Sequence, residues 1–76
     1  MSTTPMYIKI ADDIRNQIAS GVLKPGDRLP TAAELMAQYG TSTTAVRGAM
    51  IVLRGEGLIE GRQGKGVYVA SREPAE

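Results

Sequence analysis

Apolar positions recur at helical spacing in three stretches of this chain and at strand spacing in its last third. The sharpest helical stretch is 41–57, TSTTAVRGAMIVLRGEG, in which Val46, Ala49, Met50 and Leu53 fall three or four residues apart and share one face. Thr43, Thr44, Arg47 and Arg54 take the remaining surface. Ser42 is placed to cap the first turn, and glycines at 40 and 57 mark the two ends. An earlier helix is predicted from Thr4 as cap and Pro5 as first helical residue, ending at Gly21. Its dry stripe is Tyr7, Ala11, Ile14 and Ile18, with Ile8 and Ile10 beside it and Asp12, Asp13, Arg15, Asn16 and Gln17 on the wet side. A second helix opens on the capping box Thr31-Ala32-Ala33-Glu34, carries Leu35, Met36 and Tyr39, and stops at Gly40.

Between the first two helices, Pro25 and Gly26 suit the central positions of a type II turn, and Arg28-Leu29 reads as a short extended piece before Pro30. Beyond Gly57 the period changes. Residues 58–62 and 66–70 read as two strands around a hairpin turn at Gln63-Gly64-Lys65. Only a few residues join the second helix to the third, which forces a steep crossing of the helix-turn-helix kind. The predicted fold is therefore α+β: a winged helix-turn-helix of three helices with a short strand and a C-terminal β-hairpin wing. It should occupy residues 6–70, with flexible ends at 1–5 and 71–76.

Composition narrows the chemistry. Seventy-six residues make one small domain. With no cysteine and no histidine, disulfides, the usual zinc sites and Cys–His or Ser–His nucleophiles are excluded. No carboxylate pair is set for acid–base work: Asp12 and Asp13 diverge around a helix, and Glu56 and Glu60 lie across a helix end. No catalytic, metal or cofactor site is expected, and the chain does not read as an enzyme. The start lacks a basic region followed by an apolar run, and no segment approaches the roughly 20 apolar residues of a membrane span. A cytoplasmic protein with no membrane partner is expected. Net charge is only +1, but residues 41–66 hold four bases (Arg47, Arg54, Arg62, Lys65) against two acids (Glu56, Glu60).

These residues resemble the winged helix-turn-helix domain of GntR-type bacterial transcription regulators. The resemblance runs through Tyr7, Ile10, Ile14 and 18–21, then Leu23-Lys24-Pro25-Gly26-Asp27-Arg28-Leu29-Pro30, and on through Glu34-Leu35, Val46-Arg47, Leu53, Glu56-Gly57-Leu58-Ile59 and Gly64-Lys65-Gly66-Val67-Tyr68-Val69. It spans nearly everything from Tyr7 to Ala70. It implies double-stranded DNA as partner, read in the major groove by the 42–54 helix, with the 62–66 wing on the flanking backbone or minor groove. The departures bear on that reading. The second helix of the family commonly begins with serine, glutamate and arginine, where this chain has Thr31-Ala32-Ala33. Around the turn, Thr43 stands for an arginine, Ala45 for a threonine and Gly48 for a glutamate. Arg47 alone remains of three arginines that the family commonly directs at DNA. The family's usual C-terminal effector-binding domain has no counterpart in these residues, so no small-molecule effector is expected.

Each candidate also has an ordinary explanation. Arg47 suits guanine or phosphate, and a solvated helix arginine is the plain alternative. Thr31 and Ser42 are caps first and phosphate contacts second. Thr43 and Thr44 should face DNA; Arg28 and Arg54 should reach phosphates. In the wing, Arg62, Gln63, Lys65 and Gly66 suit backbone or minor-groove contact, although turn geometry alone accounts for the glycines. Gly48 costs its helix about 1 kcal/mol relative to alanine. Close approach of a neighbouring helix or of DNA would explain it, or the cost is simply tolerated. The three tyrosines read as core residues with hydroxyls at the edge. The leading expectation is a sequence-specific transcriptional regulator that self-associates or assembles cooperatively on DNA. The alternatives are a winged helix turned protein-interaction module, and an architectural DNA binder of low sequence specificity.

Overall fold

The computed structural model describes residues 4–62 and 66–70. Three helices, α1 (Met6–Ser20), α2 (Ala32–Tyr39) and α3 (Thr43–Gly55), precede an antiparallel hairpin of β1 (Ile59–Arg62) and β2 (Gly66–Val69). Helix α3 is the hub, packed against α1, α2 and β1. The core takes Ile10, Ala11 and Ile14 from α1, Leu35 from α2, and Val46, Ala49 and Leu53 from α3. Leu29, Ile59 and Val69 close it from the sheet side. Each fully buried aliphatic side chain contributes about 1.5–3 kcal/mol, which a domain this small needs from nearly every core position.

Two details of α1 differ from expectation. The helix begins at Met6, and Pro5 is its cap: the Pro5 carbonyl accepts from Ile8 N–H (3.0 Å) and Lys9 N–H (3.1 Å), and no side chain caps the end. Thr4 therefore does not cap it, because proline at ψ 146° holds the chain extended one residue later than predicted. The dry stripe is also rotated. Ile10, placed beside the stripe from sequence, is wholly buried, whereas Tyr7 is 38% exposed and Ile18 half-buried. The line that meets α3 decides this, and it runs through residues 10, 11 and 14.

The predicted turn at Pro25–Gly26 is present. Asp27 N–H donates to Lys24 O (2.9 Å) across Pro25 and Gly26, and Gly26 has the positive φ of 89° that a type II turn requires. The following 27–29 segment lies along the free side of β2, where Leu29 N–H donates to Val67 O and Val69 N–H to Asp27 O, both 2.8 Å. It amounts to one bridge, Arg28 to Tyr68, rather than the expected short strand. Pro30 offers no N–H to extend the ladder.

Both helix-turn-helix caps form as predicted. Thr31 and Glu34 make the reciprocal capping box, with Glu34 N–H to Thr31 Oγ1 at 3.1 Å and Thr31 N–H to Glu34 Oε1 at 2.8 Å. Ser42 Oγ accepts from Ala45 N–H. At the far end of α3, Leu58 N–H reaches Leu53 O (3.1 Å) and Gly57 N–H reaches Arg54 O (3.0 Å). This Schellman pairing aims the chain from helix into β1. Pairing of Ile59 with Val69 and of Arg62 with Gly66 sets the hairpin register and directs Ile59 and Val69 into the core. The predicted hairpin turn at 63–65 and the ends at 1–3 and 71–76 lie outside the described residues. Among those described, no helix is long and apolar enough to cross a membrane.

Candidate nucleic-acid interface

Because α3 buries Val46, Ala49 and Leu53, its opposite face must carry Thr44, Arg47 and Ile51, and all three are exposed. Thr43 and Arg54 lie on the flank of that face, Thr43 against Met36 of α2 and Arg54 against Gly61 of β1. The caps Thr31 and Ser42 are exposed as well, so the N-termini of α2 and α3 both open to solvent with polar donors at their rims. Thr43, predicted to face DNA, is exposed, yet its Oγ1 donates to Met36 Sδ (3.1 Å) in α2. Its proton is used within the protein, and only the oxygen lone pairs face outward.

Arg28 and Arg54 converge on the wing stem from different elements. The Arg28 Nε lies 3.4 Å from where a Cβ on Gly66 would stand, and Arg54 Nη2 lies 2.9 Å from where one on Gly61 would stand. Gly66 also has φ 113°, and it is this backbone geometry that requires glycine there, since the Arg28 approach is an ordinary contact. Gly61 escaped the sequence reading. A glycine inside a strand, away from the turn, was the available signal. Of the remaining wing candidates, Arg62 contributes its backbone to β1, while its side chain, Gln63 and Lys65 lie outside the described residues.

Gly48 is explained by the protein itself. A Cβ there would sit 3.2 Å from Tyr7 Cβ and 3.3 Å from its Cγ, so the ring of Tyr7 rests directly on α3. Tyr7 is thus a surface brace between helices rather than a core residue. Tyr39 does hold its hydroxyl at the core edge, donating to Asp13 Oδ2 at 2.7 Å. Burial, together with that hydrogen bond, pushes its phenol up to about 12.

Charge is unevenly distributed. Arg15 on α1 donates to both carboxylate oxygens of Glu56 (Nε to Oε1 3.0 Å, Nη2 to Oε2 2.9 Å) and also to Asp12. The Glu56 hydrogen bond, then that to Asp12, raises the Arg15 pKa further above its ordinary value. Lys9 pairs with Asp13. Arg28, Arg47 and Arg54 have no acidic partner among the described residues. Those residues hold no cluster of acids suited to a metal ion.

A helix-turn-helix whose third helix shows an exposed arginine and hydroxyls, beside a β-hairpin with two more arginines on its stem, defines the winged helix-turn-helix class. The chain belongs to the GntR family of bacterial regulatory proteins, whose family model matches residues 6–69. It is 48% identical over 69 residues to the mannosyl-D-glycerate transport/metabolism system repressor MngR of Escherichia coli K12, covering 91% of this chain and 29% of that protein. It is 44% identical to the histidine utilization repressor of Klebsiella aerogenes, over 87% of this chain and 27% of that one. The chain thus spans under a third of these curated relatives. Among solved structures, AraR(DBD) in complex with operator ORR3 superposes with a TM-score of 0.86 at 35% identity, covering 91% of this chain and 83% of that one.

Proposed function

We propose that this domain is the sequence-specific double-stranded DNA reader of a bacterial transcriptional regulator. Helix α3 enters the major groove with Thr44 and Arg47 on base edges, and the wing lies over the flanking backbone or minor groove. The observation that carries the reading is the outer face of α3, where Arg47 stands exposed, without an acidic partner among the described residues, one turn from the helix N-terminus. A helix N-terminus and a free guanidinium both favour an anion, and a helix this narrow fits the major groove. The operator complex of a structural relative supports the same partner. Thr31, Ser42, Arg28 and Arg54 supply phosphate contacts, with Thr43 restricted to accepting a hydrogen bond. A single module buries about 600–1,000 Å² on DNA, so tight binding calls for a second copy on an adjacent half-site.

Backbone NMR of the labelled chain, titrated with a mixed-sequence duplex of about 20 base pairs at low and moderate salt, tests this. Shifts should gather at 42–47 and at Gly66 and fade as salt rises. Shifts confined to the outer face of α1, or none at low salt, would point to a protein-interaction module instead. Binding without preference among duplexes would mark an architectural binder.

A further inference from the structure

A shallow groove of about 340 Å³ runs along α3, lined by Arg47, Met50, Ile51 and Arg54. Steps of three and four place these four residues on one stripe. Ile51 is 72% exposed and takes no part in the core, which closes without it. Arg54 leaves α3 and lays its guanidinium against Gly61 of β1, where any side chain would meet it at 2.9 Å. The groove therefore has an aliphatic floor, arginines at both ends, and one of those arginines resting on the wing.

The inference rests on the proposed DNA reading and adds to it. The major and minor grooves of a duplex are parted by one sugar–phosphate strand. A domain that sets a helix in one groove and a hairpin beside the other must pass that strand between them. We infer that the Arg47–Arg54 groove is the seat of this strand: Arg54 binds its phosphate, Ile51 packs on the neighbouring deoxyribose, and Gly61 positions Arg54 by leaving it room. The chemistry of the lining matches a polyanion with apolar sugars, because guanidinium donors suit phosphate oxygens and an aliphatic side chain suits the C–H face of a sugar. A second copy of the chain is the competing occupant. A two-fold contact would set this patch against itself, bringing four arginines together with no acid in the groove lining to offset them.

The test is fluorescence anisotropy of the 76-residue chain on the same mixed-sequence duplex over a salt series. Arg54→Gln should weaken binding on every duplex tried and lower the slope of log affinity against log salt by about one. Gly61→Ala should act in the same direction, and it should add nothing once Arg54 is already glutamine. Ile51→Ser should weaken binding severalfold and leave the slope unchanged. Circular dichroism melts of these surface variants should match the parent. An unchanged slope in Arg54→Gln, or a Gly61→Ala effect that persists in the Arg54→Gln background, would overturn the assignment. So would a sedimenting dimer that Ile51→Ser dissociates, since the face would then belong to a second copy. If the parent chain binds no duplex, the DNA reading itself fails, and that result is distinct from the others.

Discussion

Two sides of α3 handle positive charge in opposite ways. Toward α1, Arg15 spends its guanidinium on Glu56 and Asp12, Lys9 meets Asp13, and Tyr39 also donates to Asp13. These contacts tie α1 to the end of α3 and to α2, and they leave little net field. Toward the wing, Arg28 and Arg54 rest on glycines, and Arg47 stands clear of every described acid. A domain with a net charge of +1 can thus present a cationic face, because Asp12, Asp13 and Glu56 are paired on the other side. Exposed ion pairs contribute little stability one by one. The larger consequence of the pairing is where it leaves the field.

The comparison makes three predictions in order of size. Arg47→Ala should weaken operator-like DNA binding by roughly tenfold to a hundredfold, the ordinary value of an arginine on a base edge, with an unchanged melting temperature. Arg15→Ala should do the reverse, moving the melting temperature and leaving the salt slope of binding alone. Gel-shift titrations paired with thermal melts of the two variants separate the faces. An Arg15 variant that bound DNA as poorly as the Arg47 variant would break the distinction.

Gly48→Val comes next. It should destabilise the fold by about 1–3 kcal/mol in urea, because its branches cannot fit beneath Tyr7. With Tyr7→Ala as background the ring is gone and only the Cβ of residue 7 still stands 3.2 Å away, so Gly48→Val and Gly48→Ala should both be less destabilising there than in the parent.

The smallest effect is that of Tyr39→Phe, about 1 kcal/mol for a hydrogen bond lost near neutral pH. Its pH dependence sharpens the test. The folded phenol is raised from 10.0 to about 12. Its contribution is complete below the unfolded value and declines as the pH rises from there through the folded one, because the unfolded tyrosine ionises first. Urea titrations above pH 10 should show stability falling less steeply in the phenylalanine variant than in the parent.

How far the sequence reached differs from element to element. The Thr31–Glu34 box, the Ser42 cap, the Pro25–Gly26 turn and the end of α3 at Gly57 were all legible, since each is a contact within a few residues. The core face of α3 followed from spacing alone. The stripe on α1 did not, because eight apolar residues crowd that helix and only the approach of α3 selects Ile10 over Tyr7. Gly48 offered three explanations from sequence (a neighbouring helix, DNA or a tolerated cost), and the approach of α1 through Tyr7 supplied one. Among the candidate contacts, Arg47 and Thr44 were placed correctly on the exposed face. Thr43 kept its exposure but proved tethered to Met36, a partner seven residues away across the turn. Nothing in spacing reveals such a tether.

By itself, then, the sequence determined the order of elements, the caps of α2 and α3, the Pro25–Gly26 turn, the family and the outward face of α3. All of these depend on local periodicity or on short-range hydrogen bonds. Tertiary structure alone decided which cations remain available. Arg15 and Arg54 are alike as helix arginines, yet the first is 41 residues from the glutamate that neutralises it and the second is carried onto a bare glycine of the wing. Charge pairing over such separations depends on how the elements cross, and packing of the buried core sets that crossing.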